Sequence, residues 1–166
     1  MQQRGMYFGK ETIYDKIRNL GGQWNDGKER PIVCLIESSE TKGLFWAIPV
    51  GNWKHRDERG QQRIQQFLDF PDNDLRSCYY HLGKTTVKSI FFVSDVIPIT
   101  AKYIERDYLG FDKKSFVIKN KGLISELERK LKRILSFEAS NENYFRQHIT
   151  DIKRDLLKEL SEETSN

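Results

Sequence analysis

The sequence predicts an α+β fold in which helices pack on one compact antiparallel sheet or small barrel. Three apolar runs rich in β-branched and aromatic residues lie at 32–36, 44–48 and 87–93, and such runs are typical of strands. After Gly122, apolar residues recur every three or four positions in two successive stretches, which is typical of amphipathic helices. Strands therefore dominate the first part of the chain, and two helices end it.

Length and charge favour one globular domain. A chain of 166 residues can bury a core as one unit. We expect a single domain over 1–166, with a strand-rich part at 1–119, a helical part at 120–160 and a tail at 161–166 that frays. The formal net charge of +4 permits a polyanionic partner without requiring one.

The first elements follow from the apolar pattern. Residues 6–8 predict a strand, and 12–20 predict a short helix because apolar residues there recur at helical spacing. The runs at 32–36 and 44–48 are joined by a polar loop of hairpin length, which predicts an antiparallel pair. Pro49 is expected to end the second of these strands and to begin a polar loop.

The middle of the chain contains a polar insertion at 54–80. Within it, 61–67 predicts a helical turn or two, and 78–80 suits a strand. The run at 87–93 predicts the third strong strand, followed by an irregularity near Ser94-Asp95.

The last part of the chain changes from strands to helices. A short helix is expected at 101–106 and a further strand at 115–118. A first amphipathic helix then covers 123–134, and a second covers 145–160. Ser140 or Asn141 is expected to cap the second helix.

Several function classes have no support in the sequence. There is no Gly-rich dinucleotide motif, phosphate-binding P-loop, zinc-protease motif or serine-hydrolase motif. Cys34 and Cys78 lie far apart and form no zinc pattern, and we expect neither a metal nor a cofactor. No apolar stretch is long enough to cross a bilayer, and the first residues lack the apolar core of a signal peptide. We therefore expect a cytoplasmic protein with no membrane partner.

Cleavage of RNA without a metal ion has three chemical requirements. The 2′-OH must lose a proton, the phosphorane needs cations or N–H donors, and the leaving 5′-oxygen needs an acid. Histidine, cationic and hydroxyl side chains at strand ends can meet these requirements. The expected catalytic residues are Arg30, Asn52, Lys54 and His55, and the expected RNA-binding residues are Gly51, Trp53, His81, Lys84, Thr85 and Thr86. The alternative for each is an ordinary solvated loop residue or, for Trp53, a packing residue.

Three blocks of this sequence resemble a known family. They are R-P-I-V-C-L-I at 30–36, L-F-W-A-I-P-V-G-N-W-K at 44–54 and S-I-F-F-V-S-D-V-I-P-I-T-A-K-Y-I at 89–104. In this order, and followed by helices, they resemble the toxins of type III toxin–antitoxin systems, the ToxN/AbiQ and TenpN group. The resemblance implies a fold like that of the MazF/PemK toxins with added helices. It also implies a metal-independent endoribonuclease that leaves a 2′,3′-cyclic phosphate and serves in toxin–antitoxin or phage-defence systems.

The resemblance also implies partners. Such toxins are inhibited by a repetitive, pseudoknotted RNA antitoxin that the enzyme itself cuts, and they often assemble with it into closed hetero-oligomeric rings. A protein antitoxin, as in MazF-type pairs, is the alternative. We expect an RNA substrate in either case.

The family residues match this chain only in part. Arg30 matches a basic residue that precedes the first core strand, and Lys54 fits a basic residue that follows the second block. Gly51 and Asn52 stand where the family has a pair of hydroxyl residues. Asn52 can still donate to a phosphate oxygen, and His55 can take over proton transfer. The alternative hypothesis is a non-catalytic RNA- or protein-binding module on the same fold.

Overall fold

A computed structural model describes residues 1–24 and 31–165, with the backbone alone at 33–35. The strands among these residues are β1 (Gly5–Gly9), β2 (Pro31–Glu37), β3 (Phe45–Asn52), β4 (Tyr80–Lys84), β5 (Lys88–Phe92), β6 (Ile97–Ile99) and β7 (Ile104–Asp107). The α-helices among these residues are α1 (Glu11–Asn19), α2 (Glu58–Leu68), α3 (Lys121–Ser140) and α4 (Ile149–Thr164).

The strands form one antiparallel sheet in the order β4-β5-β3-β2-β1-β7, and β6 also pairs with β3. Isolated bridges of Gly5 with Val117 and of Leu109 with Ser115 extend this sheet beside β1. Within the described residues, β4 and β7 pair with no strand on their outer edges, so the sheet is open and not a closed barrel. The α+β class and the two C-terminal helices are confirmed.

Strand β3 does not end at Pro49, as the sequence predicted, but continues to Asn52. One edge of β3 pairs with β2 from Phe45 to Pro49. On its other edge, β6 pairs as far as Ala47 and β5 pairs from Val50. Pro49 therefore falls in the gap between two partners on that edge, where a residue that lacks an N–H breaks no ladder hydrogen bond.

Helix α3 covers one face of the sheet. Its apolar residues at helical spacing, among them Leu127, Leu131 and Ile134, are fully buried in a core with Val50 of β3 and Phe91 of β5. The Asn120 side chain accepts a hydrogen bond of 3.0 Å from the Leu123 N–H and so caps the helix. The predicted helix at 123–134 is thus confirmed and extends beyond both of its predicted ends.

Helix α4 differs from its prediction at both ends. It begins at Ile149 and not at 145, because His148 has a left-handed backbone with φ 58° and so cannot continue a helix. Phe145 lies outside the helix but is buried in the core, and for this reason it fits the apolar pattern from which the helix was predicted. At the other end, α4 runs to Thr164, into the tail that we expected to fray.

A polar cluster joins α1 to α4. The Lys16 ammonium contacts the carboxylates of Asp155 and, at 2.8 Å, Glu159. Glu159 also accepts a hydrogen bond of 2.6 Å from the Tyr103 hydroxyl. Burial lowers the pKa of Lys16, but the hydrogen bonds to both carboxylates outweigh it and leave the pKa raised. The cluster therefore stays ionised and holds the first helix against the last one.

Other elements differ from their predictions in extent. Of the segment 78–80, only Tyr80 lies in a strand, because Cys78 ends a 3₁₀ turn at Leu75–Cys78 and β4 begins at Tyr80. The expected helix at 101–106 is a 3₁₀ turn at Ala101–Tyr103, which β7 follows. The irregularity at Ser94-Asp95 is confirmed as a 3₁₀ turn.

Substitution of Leu127 tests the packing of α3 on the sheet. Leu127→Ala should lower the free energy of unfolding by about 2–5 kcal/mol, because the side chain is fully buried and its loss leaves a cavity. Lys132→Ala, on an exposed position of the same helix, should change it by about 0.5 kcal/mol or less. Urea unfolding measures both values, and equal effects would contradict this packing.

Candidate functional site

A pocket of about 410 Å³ lies at the carboxyl end of β3. Three stretches supply its polar and aromatic side chains: the end of β3 with the turn that follows, the β4–β5 turn with the start of β5, and the segment after β7. The polar and aromatic lining residues are Asn52, His55, Arg56, Thr85, Thr86, Ser89, Tyr108 and Phe111, with Met6, Pro31, Val50, Gly51 and Val87 beside them.

Strand pairing brings the first two stretches together. Asn52, the last residue of β3, lies opposite Ser89 of β5. The turn between β4 and β5 carries Thr85 and Thr86, and the Thr85 N–H closes it with a hydrogen bond of 3.0 Å to the Val87 carbonyl. The register of one antiparallel pair therefore places residues about 30 positions apart around the same pocket.

Hydroxyl groups form two short chains in the lining. The Thr85 and Ser89 hydroxyls are 2.8 Å apart, and Ser89 donates a hydrogen bond of 2.9 Å to the Val87 carbonyl. The Thr86 hydroxyl lies 2.8 Å from the phenol oxygen of Tyr108. Ser89 is buried and acts as support, whereas Thr86 and Tyr108 are half-buried and present a hydroxyl pair to the pocket.

The turn after β3 decides which of the predicted side chains enter the pocket. The side-chain oxygen Oδ1 of Asn52 accepts a hydrogen bond of 2.9 Å from the Lys54 N–H and caps a 3₁₀ turn at Trp53–His55. His55 thereby reaches the lining, while the exposed Lys54 stays outside it. Trp53 is also outside the lining and packs under the Lys88 ammonium, 5.7 Å from its ring centre.

Arg56 is the cation of this pocket, and the sequence analysis missed it. Its guanidinium lies 4.8 Å from the centre of the Phe92 ring, a cation–π contact. A Cβ atom added at Gly51 would lie 3.5 Å from a guanidinium nitrogen of Arg56 and 3.2 Å from Phe92. The tight contact is the one with Phe92, so Gly51 leaves room for this ring, on which the Arg56 guanidinium rests. In the sequence, only the position of Arg56 directly after His55 indicated a role for this residue.

Tyr108 and Phe111 were also missed. They follow β7, and they reach the pocket because Tyr108 donates its N–H to the Met6 carbonyl of β1 at 3.0 Å. That pairing has no local sequence signal. The Phe111 side chain is 83% exposed, which is unusual for a large apolar residue and gives the pocket an aromatic rim.

The remaining predicted residues lie elsewhere. His81 lies on β4 and not in a loop, because β4 extends to Lys84; neither residue lines the pocket. The pKa of His81 falls to about 4, chiefly because the half-buried imidazole is desolvated and further because Lys130 of α3 lies nearby. His81 is thus a neutral packing residue between β4 and α3. Arg30 lies outside the described residues.

Comparisons with known proteins do not assign this chain to a family. No family model matches the sequence, and no curated protein matches it either. Among the described residues, no three His, Cys, Asp or Glu side chains are grouped as a metal site would require. None of the helices that the structure describes has the length and apolar character needed to span a bilayer.

Acidification should destabilise the protein through His81. Between about pH 6.5 and pH 4, the unfolded chain binds a proton at this residue and the folded chain does not, so stability falls as the pH is lowered through this window. His81→Gln should reduce the loss of melting temperature between pH 7 and pH 4.5, measured by circular dichroism. Lys84→Gln, on the same strand, is the control. An unchanged pH slope in His81→Gln would contradict the burial of this imidazole.

Proposed function

We propose that the protein is a metal-independent endoribonuclease of a toxin–antitoxin or phage-defence system, which cleaves RNA by attack of the 2′-OH to give a 2′,3′-cyclic phosphate. The pocket at the end of β3 carries this proposal. It combines the His55 imidazole, the Arg56 guanidinium and the hydroxyls of Thr85, Thr86 and Tyr108. These are the chemical groups that metal-free RNA cleavage requires.

Each group has a role in the proposed reaction. His55 accepts the proton of the 2′-OH as that oxygen attacks phosphorus. Arg56 and the amide of Asn52 stabilise the negative charge on the phosphorane oxygens. Tyr108 gives its proton to the 5′-oxygen as the P–O5′ bond breaks, and Thr86, 2.8 Å away, orients the phenol. The imidazolium of His55 then returns its proton to Tyr108 through solvent.

Further cations lie next to the pocket residues in the chain. Lys54 precedes His55, and Lys84 precedes Thr85; both side chains are exposed. They contribute positive potential that attracts the phosphate backbone, although they do not line the pocket. The exposed ring of Phe111 at the rim can stack on a base beside the reacting phosphate.

The family resemblance of the sequence supports the same proposal. Its three blocks correspond to β2, to β3, and to the stretch from β5 to β7. On this proposal the fold is a variant of the MazF/PemK toxin fold with added helices. Its antitoxin is a repetitive RNA pseudoknot that assembles with the toxin into a ring. A tandem repeat upstream of the gene would favour this RNA partner over a protein antitoxin.

Substitution of His55 tests the catalytic proposal. The wild-type protein should arrest bacterial growth when expressed, and the purified protein should cut RNA in the presence of EDTA and leave cyclic-phosphate ends. His55→Ala should lower the cleavage rate about 100-fold or more, because proton transfer from the 2′-OH loses its base. Growth arrest should be relieved in the same variant.

The matched control for this test is His148→Ala, because this imidazole lies before α4 and outside the pocket. It should keep the wild-type cleavage rate. If the wild-type protein is harmless and leaves RNA intact, the enzyme proposal fails.

A non-catalytic RNA- or protein-binding module is the second candidate. It is favoured by Gly51 and Asn52, which stand where the resembling family has hydroxyls. The side-chain oxygen of Asn52 is moreover engaged by the Lys54 N–H. A module of this kind would bind RNA in a salt-sensitive manner and would produce no cyclic-phosphate ends. A protein antitoxin would instead fill the pocket with a peptide segment.

A further inference from the structure

A second concavity, which we call the aromatic groove, adjoins the pocket. Its volume is about 590 Å³, and it runs between α2, the strands β3 to β5 and the loop that precedes α4. Neither the sequence nor the proposed reaction assigns it a role. Among the described residues, its lining is rich in aromatic and arginine side chains and contains one carboxylate, that of Asp95.

Aromatic rings form one wall of the aromatic groove. The rings of Phe67 and Tyr79 are stacked with centres 5.7 Å apart and planes 19° apart. Tyr80 packs edge-on against Phe67 at 5.5 Å. Tyr144 projects from the loop before α4 with 59% of its surface exposed, and it rests edge-on against Phe145 at 5.2 Å. Phe137 packs on the same ring at 4.8 Å, and the exposed part of Tyr144 is accessible to a ligand.

The arginines give the aromatic groove a positive charge. Arg146 is paired with Asp95 at 3.0 Å, so these two charges offset each other. Neither Arg56 nor Arg63 has a carboxylate within ion-pair distance among the described residues. Both lie close enough to Tyr80 to influence its pKa, which burial raises. Within the part of the chain that the structure describes, two arginines without a carboxylate partner therefore lie beside the aromatic wall.

Exposed aromatic surface combined with these two arginines fits a single-stranded nucleic acid. Its bases can stack on aromatic side chains in any sequence, and its phosphates are neutralised by cations. In a duplex the base faces are already stacked on one another and cannot reach such rings. An acidic peptide would satisfy the arginines but would leave the exposed Tyr144 ring without a partner.

Arg56 connects the aromatic groove to the pocket, because it lines both. A strand whose reacting phosphate lies in the pocket would therefore pass Arg56 and continue into the groove. We propose that the aromatic groove holds the unpaired RNA segment next to the scissile phosphate, with bases stacked on Tyr144 and the Phe67 wall and a phosphate bound by Arg63. This proposal rests on the endoribonuclease function proposed above.

Binding of a non-cleavable RNA tests the groove independently of catalysis. A fluorescent ten-nucleotide 2′-O-methyl RNA cannot be cut, because its 2′-oxygen is blocked, and its affinity is measured by fluorescence anisotropy. Arg63→Gln and Tyr144→Leu should each weaken binding about five-fold or more, through loss of a phosphate contact and of a stacking ring.

Matched variants exclude general effects of charge and folding. Arg59→Gln makes the same charge change on the same helix, but Arg59 does not line the aromatic groove; binding should stay within about two-fold of the wild type. Tyr144→Phe keeps the ring and should also bind as the wild type does. Equal melting temperatures of the four variants show that the fold is retained.

Changes in the ligand complete the test. An oligonucleotide with abasic units should bind the wild-type protein several-fold more weakly, and so should a duplex of the same length. Equal binding of all four variants, a duplex that binds as tightly as the single strand, or displacement of the RNA by an acidic peptide alone would overturn the proposal. If His55→Ala and the wild type bind alike and neither cuts RNA, binding of unpaired RNA in the groove stands, whereas the proposed enzyme function fails and with it the assignment of a scissile phosphate to the pocket.

Discussion

The change of partner along β3 is the constraint on which the site depends. One edge of this strand pairs with β2, and the other passes from β6 to β5 across Ile48 and Pro49. Because β5 pairs from Val50 onward, the end of β3 lies against the β4–β5 hairpin and not in a free loop. The pocket is thus built from two rigid strand ends, which favours the fixed geometry that proton transfer needs.

Apolar patterns correctly predicted those elements whose apolar residues recur regularly within one continuous stretch of the chain. The runs at 32–36 and 87–93 became β2 and β5, and the leucine pattern after Gly122 became α3. The extent of β3 could not be predicted, because a proline is tolerated there only through the arrangement of two distant strands. The start of α4 was wrong for a similar reason: Phe145 is buried with the helix residues although the backbone at His148 interrupts the helix.

The candidate site could be predicted where its residues lie at the ends of recognisable strands. Strand-end reasoning identified Asn52 and His55 at the end of β3, and Thr85 and Thr86 in the β4–β5 turn, all of which line the pocket. Tyr108 depends on a pairing with β1 that no local pattern encodes, and it was missed. His81 was misplaced because the extent of β4, and hence the face that His81 occupies, follows from pairing with β5. The register of strand pairing, and not the type of residue, decides which side chains line the pocket and which pack on α3.

The densest basic run of α3 shows why charge density alone does not locate an RNA surface. Within 129–133, Arg129 is paired with Glu126 at 2.9 Å, and Arg133 donates to the Asn73 carbonyl at 3.1 Å. Lys130 is buried and donates to the Tyr80 carbonyl at 2.8 Å, which holds the start of β4 and one side of the aromatic groove in place. Three of the four cations in this run are therefore already engaged within the protein, and the fourth, Lys132, is exposed. Arginines that stand alone in the sequence are less conspicuous. Where such an arginine has no acidic partner, it retains the donors that a phosphate needs.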